Sequence, residues 1–195
     1  MQTMMRNLGV ALALALLLAA GCAAKDTGLT LRYAPVGRNT GECTSTVGVG
    51  QIADSRGGMQ AIGDRDQEMR YYPLGPAVTD WVHDALREEF KARGCEASDY
   101  KPGSPFAGNW VMSGSVLSVY MTQSGMFDSK LHMKLRLVLD KALAADGVHE
   151  FEKIYEGTWE RTSVNLSQAR NEALFQEALG DLLRDAVPEF TAKMH

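Results

Sequence analysis

Between Lys130 and Ala142 the sequence alternates almost without fault. Leu131, Met133, Leu135, Leu137 and Leu139 are apolar, and Lys130, His132, Lys134 and Arg136 stand between them. Strand side chains point alternately to opposite faces, so this pattern demands a sheet with one buried and one wet face. A slip of one residue would turn the whole apolar set into water. The rest of the chain has to cover that face. Two segments have the spacing to do so. Val78, Val82, Ala85 and Leu86, with Trp81 beside them and Phe90 beyond, predict a helix starting near Pro76 and stopping at Gly94. Phe175, Leu179, Leu182, Leu183, Ala186 and Phe190 predict a second helix from about Ser167 to Met194, kinked or frayed at Pro188.

Three further strands are expected. Val47 to Ala53 carries Val47, Val49 and Ile52 and ends in the turn Asp54-Ser55-Arg56-Gly57-Gly58. A long loop follows, through Ile62-Gly63-Asp64 and Tyr71-Tyr72-Pro73. Asn109 to Thr122 is the next strand. Simple alternation puts Val111, Leu117, Val119 and Met121 on one face and Trp110, Met112, Val116 and Tyr120 on the other. Glu150 to Arg161 is the last, after a turn at Asp146-Gly147. The order strand, helix, three-stranded meander, helix predicts an α+β two-layer sandwich. In it a four-stranded mixed sheet carries two helices on one face.

The first residues read differently. Arg6 precedes an uncharged run from Leu8 to Ala20, closed by Ala19-Ala20-Gly21-Cys22. The run falls short of the roughly 20 residues a spanning helix needs and suits the apolar core of an export signal. Small residues before Cys22 resemble the lipobox of bacterial lipoproteins, in which the cysteine receives fatty acyl chains after cleavage. Ala19 stands where that pattern prefers Leu. The expected organisation is a signal over residues 1–21, a lipidated N-terminus and tether over 22–46, and one periplasmic domain over 47–195. Within the tether, Leu29, Leu31 and Tyr33 alternate as a short edge strand would. Ala24 is not the Asp that commonly holds such proteins on the inner membrane. The resemblance therefore implies the outer membrane, facing the periplasm.

Without residues 1–21 the chain has lost Arg6 and no acid, so 20 − 1 = 19 Lys and Arg face 24 Asp and Glu, a net charge of −5. No basic block survives to grip nucleic acid or anionic headgroups. The expected contact with the membrane is through the N-terminal acyl chains alone. If Cys22 is acylated, Cys43 and Cys95 remain. An even pair in an oxidising compartment suggests a disulfide, with two separate thiols as the alternative. The first helix returns antiparallel to the first strand, which puts both cysteines at one end of the sandwich.

The lipobox, the run into Asp54-Ser55-Arg56 and Ile62-Gly63, the helix end Ala92-Arg93-Gly94, Gly114, and the closing helix over Asn171 to Asp185 resemble the YajG-type family of bacterial lipoproteins. The likeness implies a small envelope domain and brings no defined activity. A looser likeness, at the level of fold, is to envelope lipoproteins such as the lipopolysaccharide-assembly lipoprotein.

Sites of chemistry are few. His83, His132, His149 and His195 have no partner at metal-ligand spacing, and no nucleophile or phosphate-binding motif occurs. No catalytic residue, metal or cofactor is expected. Arg56 could bind an anion or pair with Asp54, and a plain turn in which Asp54 takes neighbouring backbone N–H groups is the simpler reading. The long loop that follows carries Tyr71 and Tyr72 and could present a binding surface. The aromatic side of the meander, Trp110 and Tyr120 with Trp159, is a second candidate surface. These features together point to a non-enzymatic binding or assembly accessory with an envelope protein partner. An auxiliary of envelope lipid or polysaccharide transport is the alternative, and a lipid-anchored hydrolase a more distant one.

Overall fold

The computed structural model describes residues 26–35, 43–142, 149–163 and 167–194. Cys22, the signal and the expected turn at Asp146-Gly147 lie outside them. The elements run β1 (Thr27–Leu29), β2 (Thr46–Asp54), β3 (Gly63–Arg65), β4 (Met69–Pro73), α1 (Val78–Ala92), β5 (Glu96–Asp99), β6 (Trp110–Ser124), β7 (Asp128–Lys141), β8 (Phe151–Thr162) and α2 (Gln168–Lys193).

The four expected core strands and both helices are present, and the short edge strand expected over Leu29 to Tyr33 lies at Thr27–Leu29 instead; the sheet has eight strands, which corrects the four-stranded sandwich. The long meander β6-β7-β8 is its frame. The outer edge of β6 is shared. Its first half pairs parallel with β2, from Val47 opposite Trp110 to Asp54 opposite Val116. Its second half pairs parallel with β3, from Gly63 opposite Met121 to Arg65 opposite Gln123. Beyond β2 lies β5, parallel, and beyond β3 lie β4, antiparallel, and β1, parallel to β4. The added strands are three to five residues long, too short to show a period in the sequence. The β3–β4 turn places Asp66 and Gln67 at positive φ, with Glu68 N–H donating to the Arg65 carbonyl, and it lacks the glycine that usually marks such a turn.

Residues 27–33, assigned to the tether, belong to the packed domain. Leu29 and Leu31 are buried, and Trp81 Nε1 donates to the Arg32 carbonyl at 2.9 Å. The helices lie side by side with Trp81 against Phe175, over the face that holds Leu131 to Leu139. Val78 rather than Pro76 opens α1, after Ala77.

One bulge reorders the faces of β6. Val116 stands opposite Leu135 and Ser118 opposite Lys134, so Leu117 is an extra residue. An extra residue on one strand inverts the alternation that follows it. Met112 and Val116 before the bulge, and Val119 and Met121 after it, therefore share the core face with Leu139, Leu135, Met133 and Leu131. Unbroken alternation had assigned these four to opposite faces. The aromatic outer surface expected on the meander does not exist in that form. Trp159 faces α2 and donates to Asp181 at 2.9 Å, and Tyr120 donates to Asp64 at 2.7 Å. The outer face is a charge ladder instead, with Lys130–Glu160, Lys134–Glu156 and Arg136–Glu152 at 2.6–2.7 Å.

Cys43 and Cys95 form a disulfide, and it sits at one end of the sheet, where β2 and β5 begin. At the other end are the start of β1, the β3–β4 turn, the β6–β7 turn and the end of β8.

Candidate functional site

Asp54 ends β2 and Arg56 follows two residues later. Ser55 N–H donates to the Val116 carbonyl, so the turn stays docked to β6 and holds the two side chains in line. Arg56 Nε donates to Asp54 Oδ1 at 2.9 Å and Nη2 donates to Oδ2 at 2.7 Å, while Arg56 N–H also donates to Oδ1 at 3.1 Å. This is the bidentate pairing that a guanidinium and a carboxylate favour. The hydrogen bond from Arg56 holds the Asp54 carboxyl below its ordinary range.

Of the sequence alternatives, the structure shows the pairing of Arg56 with Asp54 and the turn bond from the Arg56 backbone N–H to Asp54. Asp54 engages only one edge of the guanidinium fork. The Arg56 side chain is 6% exposed, and its Nη1 is buried with no protein acceptor. Buried guanidinium nitrogens ordinarily find acceptors, so an unspent one marks a position where a further acceptor group belongs.

Arg56 lines a cleft of about 520 Å³. With Asp54 and Arg56, its lining is Gly58, Met59 and Gln60 after β2, Tyr72 and Pro73 of β4, and Ala77 and Val78 at the start of α1. Gly57 and Gly58 take φ of +69° and +81°, a region that side chains disfavour, so the glycines permit the sharp reversal that brings Met59 over the cleft. Met59 is nearly half exposed. Ala77 precedes α1 with no side-chain cap, so the first-turn N–H groups and the positive end of the helix dipole face the same space.

The expected loop residues separate here. Asp54, Arg56 and Tyr72 line one cleft. Tyr71 does not. It points into the core, where its hydroxyl donates to Gln123 Oε1 at 2.6 Å and burial pushes its phenol up. Adjacent residues of a strand face opposite ways, so Tyr71 and Tyr72 could not both serve one surface. Gln123 is the centre of a buried polar cluster that went unnoticed in the sequence. Asn171 Nδ2 donates to the same Oε1 at 2.9 Å, and Ser129 Oγ donates to Asn171 Oδ1 at 3.1 Å. Met59, Gln60 and Pro73 belong to the long loop expected to present a binding surface, while Ala77 and Val78 of the cleft lie beyond it. The consecutive glycines were the signal for the start of the loop.

His83, His132 and His149 are locally engaged, and His195 lies outside the described residues. His83 Nε2 is 3.1 Å from the Val49 carbonyl and His149 Nδ1 is 2.8 Å from Asp140. Among the described residues no group of three metal-ligating side chains converges, and no helix is long and apolar enough to cross a membrane.

No protein-family model matches the chain, and no curated protein sequence matches it either. Solved structures do. Protein XCC0632 from Xanthomonas campestris, of the DUF330 family, superposes with a TM-score of 0.58 at 14% identity, over 85% of this chain and 94% of that one. Hypothetical protein CT253 from Chlamydia trachomatis superposes with a TM-score of 0.53 at 7% identity, over 77% and 97%. Lipoprotein GNA1162 from Neisseria meningitidis is a fainter match, with a TM-score of 0.33 at 12% identity over 76% and 99%. At these identities the first two likenesses establish a shared fold.

Proposed function

We propose that this chain is a lipid-anchored protein of the bacterial envelope, of the YajG type, and that its domain binds an envelope partner through the Arg56 cleft without transforming it. The observation that carries the binding role is the open cleft lined by Arg56, whose guanidinium Asp54 engages along one edge only. Asp54 already neutralises the guanidinium, so the local field is only weakly positive, with the α1 N-terminus adding a partial charge. Such a site suits a single acceptor group, above all a carboxylate, flanked by apolar matter that can lie against Met59 and Pro73. The one carboxylate in the lining is spent on Arg56 and is a poor proton acceptor.

The anchor rests on Arg6, the apolar run to Ala20 and the small residues before Cys22. The Cys43–Cys95 disulfide supports export, because such bonds persist in oxidising compartments.

A photo-crosslinking residue placed at position 59 in intact cells tests the binding role. The expected result is a discrete adduct with one envelope component, weakened about tenfold by Arg56→Gln, which corresponds to about 1.4 kcal/mol for a lost charged hydrogen bond. An adduct pattern indifferent to Arg56→Gln contradicts the reading.

A further inference from the structure

The end of the sheet remote from the disulfide bears two large apolar side chains that are about half exposed. Met126 and Phe127 form the β6–β7 turn and are 54% and 53% exposed. The turn is held in place from several sides. Gly125 N–H donates to Asp66 Oδ1 at 2.8 Å, Gln123 Nε2 donates to the Gly125 carbonyl at 3.0 Å, and Ser163 N–H donates to the Phe127 carbonyl. A pair of apolar side chains fixed at a protruding tip is a standing cost in water.

The path of the chain says what they meet. Thr27, the first residue of β1, is level with Tyr71, which is level with Gly63, which is level with Met121. β1 is parallel to β4 and so points its start toward the β6–β7 turn. From the level of Met121 to Ser124 is three residues, roughly 10 Å along a strand, and the turn adds a few ångströms. Cys22 is five residues before Thr27, a reach of at most roughly 17 Å. Even fully extended, those five residues put an anchor at Cys22 only a few ångströms beyond the level of the turn, so with β6 upright the turn comes within the headgroup layer. Asp66, Glu68 and Asp128 lie near the turn together with Arg65 and Lys130, so the local charge is mixed and offers no basic patch to anionic headgroups.

From this geometry we infer that Met126 and Phe127 form a second membrane contact, entering the apolar edge of the bilayer once Cys22 is acylated. The inference rests on the lipid-anchor reading above. It gives the domain one orientation, with the hairpin end on the lipid and the disulfide end pointing away. Two contacts hold the long axis of β6 upright, where a single anchor would let the domain tumble.

The test uses the full acylated protein, isolated from membranes and placed in phosphatidylcholine vesicles. Met126→Cys is labelled with an environment-sensitive fluorophore, and Lys141→Cys, at the disulfide end, is the control. Doxyl-labelled lipid is the quencher, and acylation is read separately by incorporation of a clickable fatty acid. The expected result is quenching at 126 at least about twofold stronger than at 141, unchanged in roughly 0.5 M salt, where charge attraction is screened. Phe127→Asp should bring the signal at 126 down to the control. Equal, weak quenching at both positions in an acylated protein overturns the membrane contact alone. A buried but unquenched label at 126 also overturns it, in favour of a protein covering the tip. Absence of the fatty acid overturns the anchor and the contact together.

Discussion

Removing the Cys43–Cys95 disulfide should lower stability by about 4 kcal/mol. The two residues are 52 apart in sequence. In the chain-entropy model a loop of this length loses about 14 cal/mol/K when closed, or about 4 kcal/mol at room temperature. The closed loop holds β2, β3, β4 and α1, so the bond constrains much of the unfolded chain. Both cysteines are almost fully buried. A Cys43→Ala, Cys95→Ala double variant avoids leaving thiols there, at the cost of a small cavity. Urea unfolding followed by circular dichroism reads the effect. With a slope of roughly 2 kcal/mol/M, the midpoint should fall by about 2 M, and the slope should rise somewhat because the unfolded chain is no longer cross-linked. A drop under about 0.5 M, or two titratable thiols in the oxidised native protein, refutes the reasoning.

Other outcomes follow from named contacts. Gln123→Leu leaves the Tyr71 hydroxyl and the Asn171 amide without their shared acceptor and should cost about 2–4 kcal/mol in the same assay. Gly114→Ala places a Cβ 2.3 Å from the Arg136 carbonyl oxygen of the paired strand, and the forced shift should cost about 1–3 kcal/mol. The Asp54 carboxyl has its folded pKa lowered by Arg56, so its contribution is present above the ordinary carboxylate range and is lost as pH falls through the folded value. The acid limb of the stability profile should therefore soften in Asp54→Asn. Tyr120, which donates to Asp64, is pushed up to about 12, and burial also pushes Tyr71 and Tyr155 up, so ultraviolet titration should show several late-ionising phenols, one of which disappears in Tyr120→Phe.

The long elements were legible because their periods repeat. Leu131 to Leu139 read as a strand from the residues alone, and the spacing from Val78 to Phe90 read as a helix. What failed was local. β3 and β4 are short, and the left-handed Asp66 and Gln67 between them carry no glycine to announce a turn. The bulge at Leu117 left no mark in composition, yet it decides which of Met112, Val116, Val119 and Met121 face inward. The site was half legible. Asp54 and Arg56 stood out as charges after a strand, and Tyr72 was named with them. That Tyr71 turns inward follows from strand alternation, once β4 is known to be a strand. The walls from Met59 to Gln60 and the open start of α1 come from tertiary folding. No spacing in the sequence joins residue 56 to residue 77.

The mass of the N-terminal peptide from the membrane-extracted protein tests the central claim most directly. The account predicts a chain beginning at Cys22 and carrying fatty acyl chains, with Cys22→Ala leaving an uncleaved, unacylated product. A chain that retains residues 1–21, or one that begins at an unmodified Cys22, contradicts it.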